Sequence, residues 1–303
     1  MGVCSPVFRA VSHSDHCPVT RLQLIVIAVV AVLTMSAAPI LIKSTDANAI
    51  TVGIVRLAIA VAAFSPWVLL RGRLLRLSRR QWRQLLVIGA VFGLHWLTFF
   101  LSIKLATAAI AALTILTYSM QYLVLAFLFN GERVDGVEWL AIGASFVGCV
   151  IVSPEPSLES GVSVGIAIGL CSALLYAAMP LLHQRAGDIG TPERTWGQFF
   201  FALLVFLPLS GGANWGLDRV DVYQLLALGL LCTVISHGLW VKASTELPAI
   251  YASMIYFMYL PGAVIGSALF LDEAITPLKL TGCALVLGSS AALSLYRYRR
   301  SRL

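Results

Sequence analysis

Apolar residues along this chain come in long unbroken runs. They do not alternate as in a half-buried strand or form the narrow stripe of a surface helix. Ten runs approach the roughly 20 residues needed to cross a bilayer core. They are Leu24–Ile42, Ala49–Leu70, Leu85–Ile103, Ala106–Leu128, Val137–Val152, Val162–Leu182, Thr195–Ser210, Val222–Val241, Ala249–Leu271 and Pro277–Leu295, the fifth and seventh being near the short limit. Continuous hydrophobicity selects helices over barrel strands. The breaks carry ordinary turn formers, such as Ser153-Pro154-Glu155-Pro156, Gly190-Thr191-Pro192 and Ser210-Gly211-Gly212. The pattern predicts an all-α membrane protein with ten transmembrane helices.

Composition agrees. Of 303 residues, 59% are hydrophobic and 12% charged, about half the charge a soluble surface needs. The net charge of +7 reports topology, not nucleic-acid binding. With both termini cytoplasmic, sixteen basic residues, among them Arg71, Arg73, Arg76, Arg79, Arg80 and Arg83, fall inside, and only Lys43, Lys104, Arg219 and Lys279 fall outside. That asymmetry follows the positive-inside rule and requires an even number of spans. The expected location is a bacterial inner membrane. Cys149, Cys171, Cys232 and Cys283 lie within apolar runs, where cysteine acts as a small hydrophobe. The tail cluster of Cys4, His13, Asp15, His16 and Cys17 fits no standard zinc spacing, so no metal or cofactor is expected. The N-terminus lacks the ordered regions of a cleaved signal, and the first span is expected to be retained.

The two halves resemble each other at a shift of 141–142 residues. Ala37-Ala38-Pro39-Ile40-Leu41 reads against Ala178-Met179-Pro180-Leu181-Leu182, and Pro66, His95, Tyr118 and Glu132 fall on Pro208, His237, Tyr259 and Glu273. Arg56 then falls on Gln198. Five spans per half is an odd number, so the second half enters the bilayer upside down, the inverted-repeat architecture of many secondary transporters. The divisions are a cytoplasmic tail at 1–20, a first repeat at 21–152 and a second at 161–297.

The residues at matched places carry a family resemblance. They are Val55-Arg56-Leu57-Ala58, Gly93-Leu94-His95-Trp96-Leu97-Thr98-Phe99-Phe100, Gly131-Glu132-Arg133 after an Ala-rich fourth span, and Pro261 leading to Leu271-Asp272-Glu273. From about Thr20 to Tyr298 the chain resembles the EamA-like family of the drug/metabolite transporter superfamily. The resemblance implies two EamA repeats around a central cavity and export or exchange of metabolites such as amino acids. One departure stands out: the family's Ser-Pro in the fourth span reads Ser119-Met120 here, so a proline kink is expected only in the ninth.

Polar groups inside a bilayer face a cavity or another helix. On the fourth span Thr107, Thr114, Tyr118 and Gln121 share one helical face. His95, Thr98 and Ser102 do so on the third, and Ser172, Tyr176, Met179 and His183 on the sixth. His95, Tyr118, Tyr259, Thr114, Gln121 and Tyr176 are read as substrate-binding candidates at mid-membrane, with Arg56 and its repeat counterpart Gln198. Against this, Thr98, Ser102, Thr107 and Ser172 suit interhelical packing, and His95 is either a solute contact, a proton carrier or a neutral histidine bonded to a neighbouring helix. Arg56 either draws in an anionic group or anchors helix ends, its charge met by snorkelling or by helix carbonyls. Gly89-x-x-x-Gly93, Gly165-x-x-x-Gly169 and Gly262-x-x-x-Gly266 allow close helix contact within the chain and leave the oligomeric state open.

All fourteen acidic residues lie in loops, the tail or span ends. Ion-coupled carriers usually hold a buried carboxylate, so facilitated export or exchange is expected, or weak proton coupling through His95. No mid-span acid, Gly-x-Ser-x-Gly or His-Glu-x-x-His supports an intramembrane enzyme. A receptor or scaffold would more often carry a sizeable soluble domain. The partners expected are a small-molecule substrate and the lipid bilayer, with no nucleic acid.

Overall fold

The computed structural model describes residues 19–105, 114–152, 162–270 and 274–300. Among these, every regular element is helical. The first half holds α1 (Arg21–Met35), α2 (Ala38–Ser44), α3 (Ala49–Leu70), α4 (Arg79–Leu105), α5 (Tyr118–Asn130) and α6 (Gly136–Val152). The second holds α7 (Val162–Arg185), α8 (Thr191–Phe206), α9 (Arg219–Gly229), α10 (Ser236–Glu246), α11 (Ala249–Phe257), α12 (Tyr259–Phe270) and α13 (Pro277–Arg300). Eight helical stretches are long and apolar enough to cross a membrane, and two shorter apolar helices, Thr114–Asn130 and Gly136–Ile151, accompany them. The tail cysteines and histidines, Thr107, Glu155, Glu159 and Glu273 lie outside the described residues.

Helix ends follow local chemistry. Thr20 opens α1 with a capping box to Gln23, and Asp218 opens α9 with another to Asp221. Gly131 closes α5 at φ 68°, a left-handed conformation that glycine adopts without steric cost. That turn projects Glu132, whose carboxylate accepts the Ala249 N–H at 2.9 Å and so caps the start of α11, where the helix dipole favours an acid.

Two helices break at repeat-equivalent places, each one residue before a tyrosine. Met258 interrupts the path from α11 to α12 ahead of Tyr259, and Thr117 precedes Tyr118 at the start of α5. In the first case Pro261 cannot donate to the Phe257 carbonyl. The fourth span has no proline, yet its helix is interrupted as well, at Thr117. The Thr117 hydroxyl donates to the Thr114 carbonyl at 2.6 Å, and Gln121 Nε2 donates back to Thr117 Oγ1 at 3.1 Å. Side-chain bonds of this kind compete with the helical ladder.

Packing pairs helices across the halves. Ser145 and Ser289 share a hydroxyl hydrogen bond of 2.6 Å, while Arg297 Nε donates to Glu138 at 2.6 Å. As one partner's number rises the other's falls, so α6 and α13, the last helices of their halves, run antiparallel. The same rule holds for α4 on α7, through His95 with Ser172 and Ser102 with Gly165. By contrast α4 runs parallel to α8 along its glycines. A Cβ at Gly89 would fall 2.3 Å from Phe201 Cβ, and one at Gly93 would fall 3.0 Å from Val205 Cβ. Gly169 presses on Thr114, and Gly262 on Ser36. All these close contacts lie within the single chain.

Candidate solute-binding site

The centre of the bundle is an aromatic cluster drawn from both halves. Tyr118 of α5 meets Tyr256 of α11 at 4.5 Å between ring centroids and Tyr176 of α7 at 4.9 Å. His95 of α4 stacks on Tyr176 at 4.6 Å with planes 15° apart. His237 and Trp240 of α10 close another side, at 6.5 Å from Tyr176 and 5.6 Å from Tyr256. Half-buried Tyr259 stacks on Tyr256 at 6.1 Å. The break at Met258 places Tyr256 and Tyr259 on one face, three residues apart.

Two phenols are out of balance with their surroundings. The hydroxyls of Tyr118 and Tyr176 are fully buried without a hydrogen-bond partner. Each such group costs about 1–3 kcal/mol relative to a satisfied one. His95 is better served: its Nδ1 lies 3.0 Å from the Ser172 carbonyl oxygen and 2.9 Å from Ser172 Oγ, which itself donates to the His95 carbonyl.

Arg56 sits beside this cluster and does not snorkel. It is buried, its guanidinium lies 4.4 Å from the Trp96 ring centroid, and its Nε donates to Thr233 Oγ1 at 2.9 Å. Its Nη2 donates to the Cys232 carbonyl at 3.3 Å. Both acceptors belong to a π-helical stretch, Leu230–Ile235, that joins α9 to α10. Such a stretch lengthens the ladder to i→i+5 and often marks a functional site.

The remaining candidates point elsewhere. Gln121 reaches the Leu170 carbonyl of α7 at 3.4 Å, and Thr114 packs against Gly169. Gln198 Oε1 pairs with His183 Nε2 at 2.8 Å, near Arg194, which donates to the His183 carbonyl and to Thr191 Oγ1. Of the predicted residues, the structure therefore unites His95, Tyr118, Tyr176 and Tyr259, with Arg56 at the edge. Tyr256 and Trp240 were missed. Their helical spacings, three residues from Tyr259 and from His237, were the available signal.

The two ends of the bundle differ. At one end the loop before α3 is tied to the loop before α9. Asn48 N–H donates to Asn214 Oδ1 at 2.7 Å, Asn214 Nδ2 donates to the Asp46 carbonyl at 2.9 Å, and Thr45 Oγ1 donates to Asp221 at 2.8 Å. At the arginine-rich end lies a cavity of about 890 Å³, whose walls include Phe64, Arg71, Arg73, Thr195, Lys242 and Glu246. Phe199, fully buried, stands between Phe64 at that wall and His237 of the cluster, with centroids 5.9 and 6.4 Å away. Nearby Glu193 is 1% exposed and neither carboxylate oxygen has a hydrogen-bond partner. Glu138 and Asp221 are buried too, so the expectation of no buried carboxylate is corrected, although all three acids lie in first turns of helices, at span ends. Helix α8 starts at Thr191, four residues before the apolar run, and carries Glu193 into its first turn.

Known proteins match this arrangement. The model of the EamA-like transporter family matches twice, over residues 22–153 and 163–295. The chain belongs to the EamA-like transporter family. It is 26% identical over 250 residues to the threonine/homoserine exporter RhtA of Escherichia coli (strain K12), covering 81% of this chain and 80% of that protein. It is 28% identical over 181 residues to a riboflavin transporter of Rhizobium johnstonii, covering 58% of each. One crystal structure superposes with a TM-score of 0.80 over 92% of this chain and 99% of its own, at 18% identity, a likeness of fold. The EamA protein described here is thus a multi-pass membrane transporter for a small molecule, and its family and named relatives are transporters rather than enzymes.

Proposed function

We propose that this EamA protein is a secondary transporter of the bacterial inner membrane. It exports or exchanges a small organic metabolite, foremost an amino acid or related solute, by alternating access. In this reading ten spans form two inverted repeats, at 21–152 and 161–297. The 1–20 tail, the carboxy terminus and the arginine-rich loop are cytoplasmic, as the positive-inside asymmetry requires.

The observation that carries the reading is the pair of partnerless hydroxyls on Tyr118 and Tyr176, at the meeting point of both halves. Polar groups buried in a bilayer protein commonly mark a solute pathway, and carriers built from repeats bind near the midplane at the repeat interface. The end tied by Asn48 and Asn214 fits a closed outer gate, and the cavity at Arg71 and Arg73 fits an open inner one. The antiparallel run of α6 and α13 is what inversion of the halves demands.

RhtA makes threonine and homoserine the first solutes to try. A second reading has its own support: seven aromatic or imidazole rings make up the central cluster, and stacking would favour a solute with a planar ring. Counterflow into vesicles holding the purified protein tests both. Threonine, homoserine, an aromatic amino acid and riboflavin would be offered separately. Saturable counterflow of one of them is expected. Protein that is folded by circular dichroism yet moves none of a broad amino-acid and cofactor panel would overturn the reading.

A further inference from the structure

A groove of about 280 Å³ runs between α1, the α11–α12 pair and α13, away from the aromatic cluster. Its walls are mostly apolar: Ile25 and Val29 on one side, Met254 and Met258 on the second, Leu287 and Ala291 beside Ser290 on the third. One end is chemically different. Tyr251 lines the groove, and two guanidiniums converge on its ring, Arg21 at 5.8 Å and Arg297 at 5.0 Å from the centroid.

The charges there are not balanced. Arg297 is paired with Glu138, and Arg300 with Asp135. No described carboxylate pairs with Arg21, and Arg299 of the same α13 turn is exposed. Dimensions add a second constraint. From Arg21 to Val29 is about 12 Å along the helix, and from Arg297 to Leu287 about 15 Å. A single hydrocarbon leaflet is roughly half of a core about 30 Å thick. An apolar slot one leaflet deep, with surplus positive charge at its polar end, has the shape and charge of one anionic lipid.

We propose that this groove is a binding site for an anionic glycerophospholipid of the leaflet at the arginine-rich end, with Arg21 receiving the phosphate and one acyl chain lying along α13. The lipid would bridge α1 to α13, elements from opposite halves. The site is separate from the solute cluster, so the proposal stands whether or not the solute assignment does.

The test uses the purified full-length protein in detergent, titrated with phosphatidylglycerol or with phosphatidylcholine of the same chains, and read by its thermal unfolding midpoint. Phosphatidylglycerol is expected to raise the midpoint at lower concentration. Arg21→Gln should weaken its apparent affinity about fivefold, the effect of one basic residue near an anionic headgroup. Ala291→Phe, which fills the slot, should abolish the difference between the two lipids. Equal response to both lipids would overturn the site, as would an unchanged affinity in Arg21→Gln. An identical shift with inorganic phosphate alone would also overturn it. Should Ala291→Phe fail to fold, the exposed Arg21 substitution decides the matter alone.

Discussion

The rings of Tyr118 and Tyr176 meet at 4.9 Å between centroids, and neither hydroxyl finds a hydrogen-bond partner. In a structural core that would be a plain cost, since a buried donor without a partner is destabilising. Tyr118→Phe and Tyr176→Phe are therefore expected to leave the thermal midpoint unchanged or raised. Counterflow should fall by up to about tenfold per variant, the worth of one hydrogen bond to solute. Variants that transport at the parental rate would show that solute does not touch these hydroxyls.

Arg56 is held by Thr233, Cys232 and Trp96, and no carboxylate offsets it in those contacts. Arg56→Gln is expected to fold while losing more than about tenfold in flux of any solute bearing a carboxylate, as loss of a charge-assisted bond requires. Equal flux, with a lowered unfolding midpoint, would assign Arg56 to helix packing instead.

Asn214 ties the loop at Asp46 and Asn48 through its side-chain oxygen and nitrogen. Asn214→Ala removes both bonds, together with the 3.0 Å bond that Oδ1 accepts from Thr51 Oγ1, each worth about 1 kcal/mol. An impermeant maleimide should then label Ala47→Cys, a buried position, roughly tenfold faster than in the parent. No change in rate would mean that this end is held shut by other contacts.

Asp135 gives a pH signature outside the spans. Partial burial pushes its carboxyl up, but the Glu138 N–H, the Tyr296 hydroxyl and Arg300 together hold it below the usual carboxylate value. A depressed folded value stabilises the protein above the unfolded value of about 3.9. That contribution is lost as pH falls through the lower, folded value. Wild type should unfold at higher temperature than Asp135→Asn at neutral pH, with the gap closing below about pH 4. A gap independent of pH would remove Asp135 from the interface energetics.

Much of the fold was legible because lipid is a demanding solvent: it forces apolar runs to be continuous and confines arginines to loops. The repeat was legible because Pro66, His95 and Tyr118 recur in order. What stayed hidden depends on deviations from straight helices. The turn at Thr117 has no proline to announce it. Glu193 is buried because α8 begins among polar residues that hydropathy assigns to a loop. Tyr256 and Trp240 read as ordinary apolar filler until a break and a π-helical stretch bring them beside Tyr118.

The π-helical stretch at Leu230–Ile235 has a consequence for the whole cluster. An α-helix turns about 100° per residue, so the side-chain direction of everything after that stretch depends on how many residues it contains. Excising one residue there would let the ladder relax to ordinary α geometry, swinging His237 and Trp240 away from Tyr176 and Tyr256 without altering a single side chain. It would also withdraw the seat on which the Arg56 guanidinium rests. The aromatic centre is thus set by arithmetic as much as by chemistry, and a deletion in a featureless run of leucine, cysteine and valine should disable the protein as thoroughly as losing a tyrosine.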